Sequence, residues 1–140
     1  MPTSPTELRF TGPAGPECLD AIHDLLDRLW YAQTDIDDAD RAMFTTAILE
    51  IANNIVTHND PESRVSLSLA VMADSDVLRA ELRDDGSPAI VNTEVPTLPD
   101  DFAESGRGLA LARMALDDFR YERAEEQNRW LLERHLGNGT

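Results

Sequence analysis

The sequence predicts an α+β protein in which helices cover one face of a mostly antiparallel sheet. Two successive segments carry apolar residues at helical spacing, and two later pairs of segments alternate apolar and polar residues across short polar turns. Strands joined by short turns pair antiparallel, and amphipathic helices bury their apolar stripes against such a sheet. We therefore expect a two-layer sandwich: a mostly antiparallel, mixed sheet with about three helices on one face.

The chain has 140 residues, which is the usual size of one domain, and 41% of them are hydrophobic and 28% charged. Its formal net charge of -15 argues against direct binding to nucleic acid or to an anionic membrane, because both need a cationic surface. No apolar segment reaches the ~20 residues of a membrane span, and the N-terminus does not resemble a signal peptide, so we expect a cytoplasmic protein. Cys18 is the single cysteine and falls in an apolar helical pattern, as a core residue would.

The N-terminal half predicts one strand and two helices. Residues 1–6 are rich in proline, threonine and serine, so we expect a disordered N-terminus; Leu8 and Phe10 then alternate with charged residues as in a short strand. Apolar spacing predicts a first helix over 16–32. After an acidic connection, a second apolar stripe predicts another helix that ends near residues 59–60, before Pro61.

The C-terminal half predicts two hairpins separated by a loop and a third helix. Alternating residues predict strands at about 65–71 and 78–82, and later at about 119–124 and 129–136, the last two joined by a Glu125–Asn128 turn. The irregular stretch 89–104 is long for a loop within a compact domain, and such loops are usually functional or mobile. A helix is expected over about 107–117. Residues 7–136 are predicted to form a single domain, and 137–140 a tail.

The second predicted helix carries Glu50, Asn54 and His58 at spacing i, i+4, i+8. These residues form one strip along the border of the apolar stripe, whereas Asn53 points away from it and should be solvated. A carboxylate and an amide one turn apart can hold a water and Mg²⁺, which prefers oxygen ligands. The alternative is an ordinary polar border with a histidine at the helix end, which is common on amphipathic helices.

A second motif ends the predicted strand at 78–82. Asp84 continues the inward-facing row, where an unpaired carboxylate would be costly, so it needs a donor; the amino group of adenine is one candidate. Gly86 would let the backbone approach a flat ring closely, and Asp85 should point outward. The alternative is a strand that ends in a common Asp-Gly turn.

A third motif opens the third predicted helix, where Gly106, Arg107, Gly108 and Leu109 follow Ser105. Free N–H groups at a helix start can receive a phosphate, glycines allow its close approach, and Arg107 could add positive charge. The alternative is a flexible hinge with a serine cap, since an isolated Gly-x-Gly is a weak signal.

In this order, the three motifs resemble those of the GHKL (Bergerat-fold) ATPases. Residues 47–58 resemble the N box, in the Glu-x-x-x-Asn-x-x-x-His form of anti-sigma-factor serine/threonine kinases. Asp84-x-Gly86 resembles the G1 box. Gly106-Arg107-Gly108-Leu109, with Arg113 and Asp117 after it, is similar to the G2 box of that subgroup. The resemblance runs from about residue 8 to 136.

The resemblance implies ATP and Mg²⁺ as cofactors. By position, Asn54 would coordinate Mg²⁺, Glu50 would be the general base, and Asp84 would bond the adenine amino group with Gly86 beneath the ring. Gly106, Arg107, Gly108 and Leu109 would bind the phosphates under an ATP lid formed by 89–105, and His58 would have a supporting role. Gln127-Asn128-Arg129-Trp130 stands where the family usually has a Gly-Thr pair near the nucleotide; Asn128 is a candidate to replace the polar contact, Arg129 is bulkier than threonine, and Pro88 replaces a frequent glycine.

Two functions stay open. The subgroup implies a protein serine/threonine kinase of a bacterial partner-switching pathway, which phosphorylates an anti-sigma-factor antagonist (a STAS-type protein) and sequesters a sigma factor as a homodimer; Glu50 beside Asn54 favours it. The alternative is a non-catalytic pseudokinase or anti-sigma-like binding module that holds a partner protein. The altered last hairpin and the strong negative charge, which suits a basic partner, favour this second function.

Overall fold

The computed structural model describes residues 4–59, 64–88 and 112–137. The regular elements in chain order are β1 (Thr6–Pro13), α1 (Pro16–Ala32), α2 (Asp38–His58), β2 (Ser66–Ala73), β3 (Val77–Asp84), β4 (Asp118–Ala124) and β5 (Gln127–His135). Residues 112–115 are also helical. The predicted α+β class is confirmed. None of the helices within the described ranges is long and apolar enough to cross a membrane.

The five strands form one sheet in the order β1-β2-β3-β5-β4, and each of the described pairings is antiparallel. At one end of this sheet, Asp84 of β3 lies opposite Leu67 of β2 and Asn128 of β5. Asn128 in turn lies opposite Arg123 of β4. The register therefore gathers polar side chains from three adjacent strands at this end.

The core lies between the sheet and the two helices. Inward-facing residues of the strands alternate with outward-facing ones, and the buried set includes Ile51, Leu82 and Trp130, each with no exposed surface. Burying such a side chain stabilises the fold by about 1.5–3 kcal/mol. Cys18 is also buried, as predicted, and burial raises the pKa of its thiol. Ala112 and Ala115 belong to the same core, so the helical segment at 112–115 packs on it as well.

The last hairpin differs from its prediction. Only Glu125 and Glu126 lie between β4 and β5, and both have positive φ, 54° and 63°. A two-residue hairpin loop needs positive φ, which usually selects Asn-Gly, and no such pair marks this turn. The predicted turn was thus too long, and Asn128 lies within β5.

We expect Asn-Gly at positions 125 and 126 to stabilise the protein. The left-handed region costs an ordinary residue roughly 1–2 kcal/mol, so E125N/E126G should raise the free energy of unfolding by about 1–2 kcal/mol in urea titrations. E125Q/E126Q is the matched control, because it removes the same two charges and leaves the backbone preference unchanged. An equal gain in the control would attribute the effect to charge and contradict the turn argument.

Candidate functional site

Asn54 of α2 and Asp84 at the end of β3 line one cavity of about 90 Å³. The helix and the strand are separate in sequence, so packing of α2 against the sheet brings the two predicted residues together. The other lining residues are Ile55, His58, Asn59, Ser87, Pro88, Asn128 and Trp130. The cavity thus combines three side-chain amides, a carboxylate and a buried aromatic wall.

The Asp84 carboxylate is only 2% exposed and accepts three hydrogen bonds from the chain itself. Oδ1 accepts from Asn128 Nδ2 at 2.9 Å and from the Gly86 backbone N–H at 3.0 Å. Oδ2 accepts from Trp130 Nε1 at 3.3 Å. A carboxylate has about four acceptor positions, so one position on Oδ2 remains for another N–H donor. The hydrogen-bond donors that this buried carboxylate requires therefore come from the chain itself. The amino group of a ligand can donate to the acceptor position that remains.

Asn128 is buried and uses both ends of its amide. Besides Asp84, Nδ2 donates to the Ser87 carbonyl at 2.7 Å. Oδ1 accepts from the Tyr121 hydroxyl and from Arg123 Nη1, the latter at 3.0 Å. These bonds leave the amide a single orientation, with its NH₂ group towards Asp84 and the Ser87 carbonyl. Asn128 is thus a direct polar neighbour of Asp84. It is also the residue that the sequence suggests as a replacement for the polar contact of the family's usual Gly-Thr pair.

Arg129 points away from this cavity. It follows Asn128 on β5 and faces the opposite side of the sheet, where its guanidinium pairs with Glu81 and with Glu122. Partial burial by itself would raise the pKa of Glu81, but hydrogen bonds and charge from Arg129 and Arg83 outweigh it and hold that pKa below its usual value. The bulk of Arg129 therefore does not narrow the cavity beside Asp84.

Asn54 is 9% exposed, and its side chain forms no hydrogen bond with any residue in the described part of the chain. Its side chain lines the cavity, where a ligand or water can reach the amide. Its oxygen is the type of ligand that Mg²⁺ accepts, so the residue fits the predicted metal position. Glu50 is half-buried one turn earlier, about 5–6 Å away between Cβ atoms for such a spacing. His58 is exposed at the cavity rim, and Asn53 is exposed as predicted.

Other predicted residues lie beside the cavity or outside the described residues. Gly86 lines a neighbouring, more open depression of about 580 Å³ together with Arg123. Asp85 is exposed, as expected, and accepts a hydrogen bond from the Ser66 N–H at 2.7 Å. The predicted phosphate-binding residues Gly106, Arg107, Gly108 and Leu109 and the predicted lid at 89–105 lie outside the described residues.

Four residues around Asp84 have no role in the site that the sequence predicts: Trp130, Tyr121, Arg123 and Asn59. Trp130 shares a strand face with Asn128, so a correctly placed start of β5 would have indicated it. Tyr121 and Arg123 reach the site only through the β4–β5 register. For Asn59 the sequence has no signal other than its position at the predicted helix end.

Comparisons with known proteins show the family and the fold of the chain. Residues 12–132 match the family model described as histidine kinase-like ATPase domain. Among solved structures, the chain is similar to the RsbU and RsbW domains of Rv1364c from Mycobacterium tuberculosis, with a TM-score of 0.65 and 19% sequence identity. The match covers 94% of this chain and 32% of that one, so this chain spans about a third of its length. At that identity the likeness shows the fold. A comparison with curated proteins finds no significant match.

Proposed function

Because the chain belongs to the histidine kinase-like ATPase domain family, we propose that it binds ATP and Mg²⁺ at the Asn54–Asp84 cavity and acts as an anti-sigma-factor-type protein serine/threonine kinase. One observation carries the proposal. A buried carboxylate with a remaining acceptor position and a buried amide without a hydrogen-bond partner among the described residues line the same cavity. The carboxylate suits an adenine amino group, and the amide suits a cation bound to phosphates.

The adenine ring would bind at the Asp84 end of the cavity. Asn128 and Trp130 hold the carboxylate in one orientation, so its open acceptor position points in a fixed direction. A cavity of about 90 Å³ is small beside the ~300–1,000 Å³ of usual small-molecule sites, so it suits one end of a nucleotide. Guanine carries an oxygen where adenine carries its amino group, and a carboxylate would repel it. The site should therefore prefer ATP to GTP.

The Asn54 end would hold the cation through the amide oxygen. When bound, Mg²⁺ neutralises charge on the phosphates that it contacts. Glu50, one turn earlier on α2, would accept the proton of the attacking hydroxyl or orient that hydroxyl. The resemblance assigns phosphate binding to Gly106, Arg107, Gly108 and Leu109 and the lid to 89–105. These roles belong to the same proposal.

The proposed phosphoryl acceptor is a serine or threonine of an anti-sigma-factor antagonist in a bacterial partner-switching pathway. Likeness to a structure that contains an RsbW domain supports this choice. We further propose a cytoplasmic, homodimeric protein that sequesters a sigma factor. The net charge of -15 suits a partner with a basic surface.

Glu50→Gln should reduce transfer of labelled γ-phosphate to the cognate antagonist by about 100-fold or more, since general base catalysis contributes 10²–10⁴-fold. The affinity for Mg·ATP should stay within about threefold, because the substituted side chain does not line the described cavity. Asn53→Ala is the matched control on the exposed face of the same helix and should leave transfer unchanged. Absence of transfer by the unmodified protein, with ATP bound, would contradict the kinase assignment.

A non-catalytic binding module is the second candidate, and the Asp84–Asn128 bond favours it. The chain itself supplies three donors to the buried carboxylate, so the fold does not need a nucleotide to satisfy that group. In that case Glu50→Ala would leave control of the partner protein intact. Loss of control at unchanged fold and partner affinity would exclude the binding module.

A further inference from the structure

Asn59 joins the end of α2 to the turn that follows β3. It is the residue directly after the helix, and its side chain is half-buried. Nδ2 donates to the Ile55 carbonyl at 2.7 Å and so satisfies one of the last helical carbonyls. Oδ1 accepts from the Ser87 backbone N–H at 3.1 Å. A single carboxamide therefore links two segments that are distant in sequence, the end of α2 and the turn after β3.

The glycine at position 86 is explained by this side chain. Glycine is needed where φ is positive or where another group approaches the backbone closely. None of the described glycines has positive φ, so the first reason does not apply to Gly86. A Cβ there would overlap Oδ1 of Asn59 and lie 2.7 Å from its Cγ and 2.8 Å from its Nδ2. The carboxamide thus packs directly on the backbone of Gly86, and its two hydrogen bonds oppose any movement away.

We propose that Asn59 is a positioning residue, which holds the 84–88 turn against α2 and thereby sets the spacing between Asp84 and Asn54. Both residues line one cavity, and Asn59 lines it as well. Ile55, to which Asn59 bonds, directly follows Asn54, so the bridge connects the two ends of the site over a short path. The role in nucleotide binding rests on the proposed function, whereas the coupling to Gly86 rests on geometry alone.

Calorimetric titrations with ATP, in Mg²⁺ and in EDTA, test the positioning role. Asn59→Ala should weaken Mg·ATP binding by about tenfold, the equivalent of one lost hydrogen bond, and metal-free ATP by less than about twofold. The reason is that only the metal-bound ligand needs both ends of the site at a fixed spacing. An equal loss for both forms would indicate general loosening and overturn the role.

A double-mutant cycle in urea tests the contact itself. Gly86→Ala should lower the unfolding midpoint by about 1 M in the unmodified protein, and by less than about 0.3 M in the Asn59→Ala background, where the overlapping atoms are gone. Gly15→Ala is the matched control, because a Cβ there meets nothing within 4 Å; its effect should be the same in both backgrounds. Equal losses from Gly86→Ala in the two backgrounds would overturn the contact.

The two measurements separate the possible failures. If the unmodified protein binds no ATP, the proposed function fails, and the urea cycle still decides whether Gly86 and Asn59 are coupled. If Asn59→Ala does not fold, Asn59→Gly takes its place in both experiments, since it also removes the side-chain atoms that a Cβ at Gly86 would meet.

Discussion

Asp84→Asn should weaken ATP binding by about 100-fold or more, which corresponds to about 2.7 kcal/mol. The amide oxygen of the new residue has to face Asn128 Nδ2 and the Gly86 N–H, because both groups donate. Its NH₂ group then replaces Oδ2, where it opposes Trp130 Nε1 and the adenine amino group, which are donors too. The open acceptor position is lost, and one buried N–H loses its partner.

The same change should reduce the free energy of unfolding by about 1–3 kcal/mol, the cost of a buried unsatisfied group. Binding should therefore be measured by calorimetry at a temperature where denaturation curves show the variant folded. Asp85→Asn is the matched control, because this neighbouring carboxylate is exposed and bonds the Ser66 N–H; ATP affinity should change by less than about twofold. An Asp84→Asn variant that binds ATP as tightly as the unmodified protein would contradict the assignment of the adenine end.

Asn128→Ala should have the largest effect on stability, a loss of about 2–4 kcal/mol. The amide makes four hydrogen bonds, and its removal takes a donor from Asp84 and from the Ser87 carbonyl and an acceptor from Arg123 and Tyr121. Alanine also leaves a gap beside the fully buried Trp130. Urea unfolding followed by tryptophan fluorescence would measure the loss.

Gln127→Ala provides the comparison for this variant, since the side chain is exposed on the same strand and its loss should cost less than about 0.5 kcal/mol. A loss below about 1 kcal/mol for Asn128→Ala would mean that water satisfies the groups around Asp84. In that event the network would not hold the carboxylate in one orientation.

Local patterns in this chain predict local structure well. The apolar spacing of the first helix predicts 16–32, and α1 spans Pro16–Ala32. The helical face that places Asn54 at the edge of the core and Asn53 in solvent is also correct, as is the inward row that ends at Asp84. Each of these follows from a period of 3.6 or 2 residues and needs no knowledge of distant segments.

The contacts around Asp84 could not be predicted in the same way because they depend on register between strands. Glu125 and Glu126 adopt positive φ without the glycine or asparagine that would mark the turn, so the start of β5 was misplaced by two residues. Because of that error, the position of Asn128 opposite Asp84 could not be predicted. Asn59 was missed because its role comes from the approach of two chain segments that are distant in sequence.

Calorimetric titration of the unmodified protein with Mg·ATP, with Mg·GTP as the comparison, would show whether the Asn54–Asp84 cavity binds an adenine nucleotide. We expect saturable binding of one ATP per chain, at least about tenfold tighter than GTP, because the carboxylate of Asp84 accepts from an amino group and repels an oxygen. Absence of binding at millimolar ATP, or equal affinity for the two nucleotides, would contradict it.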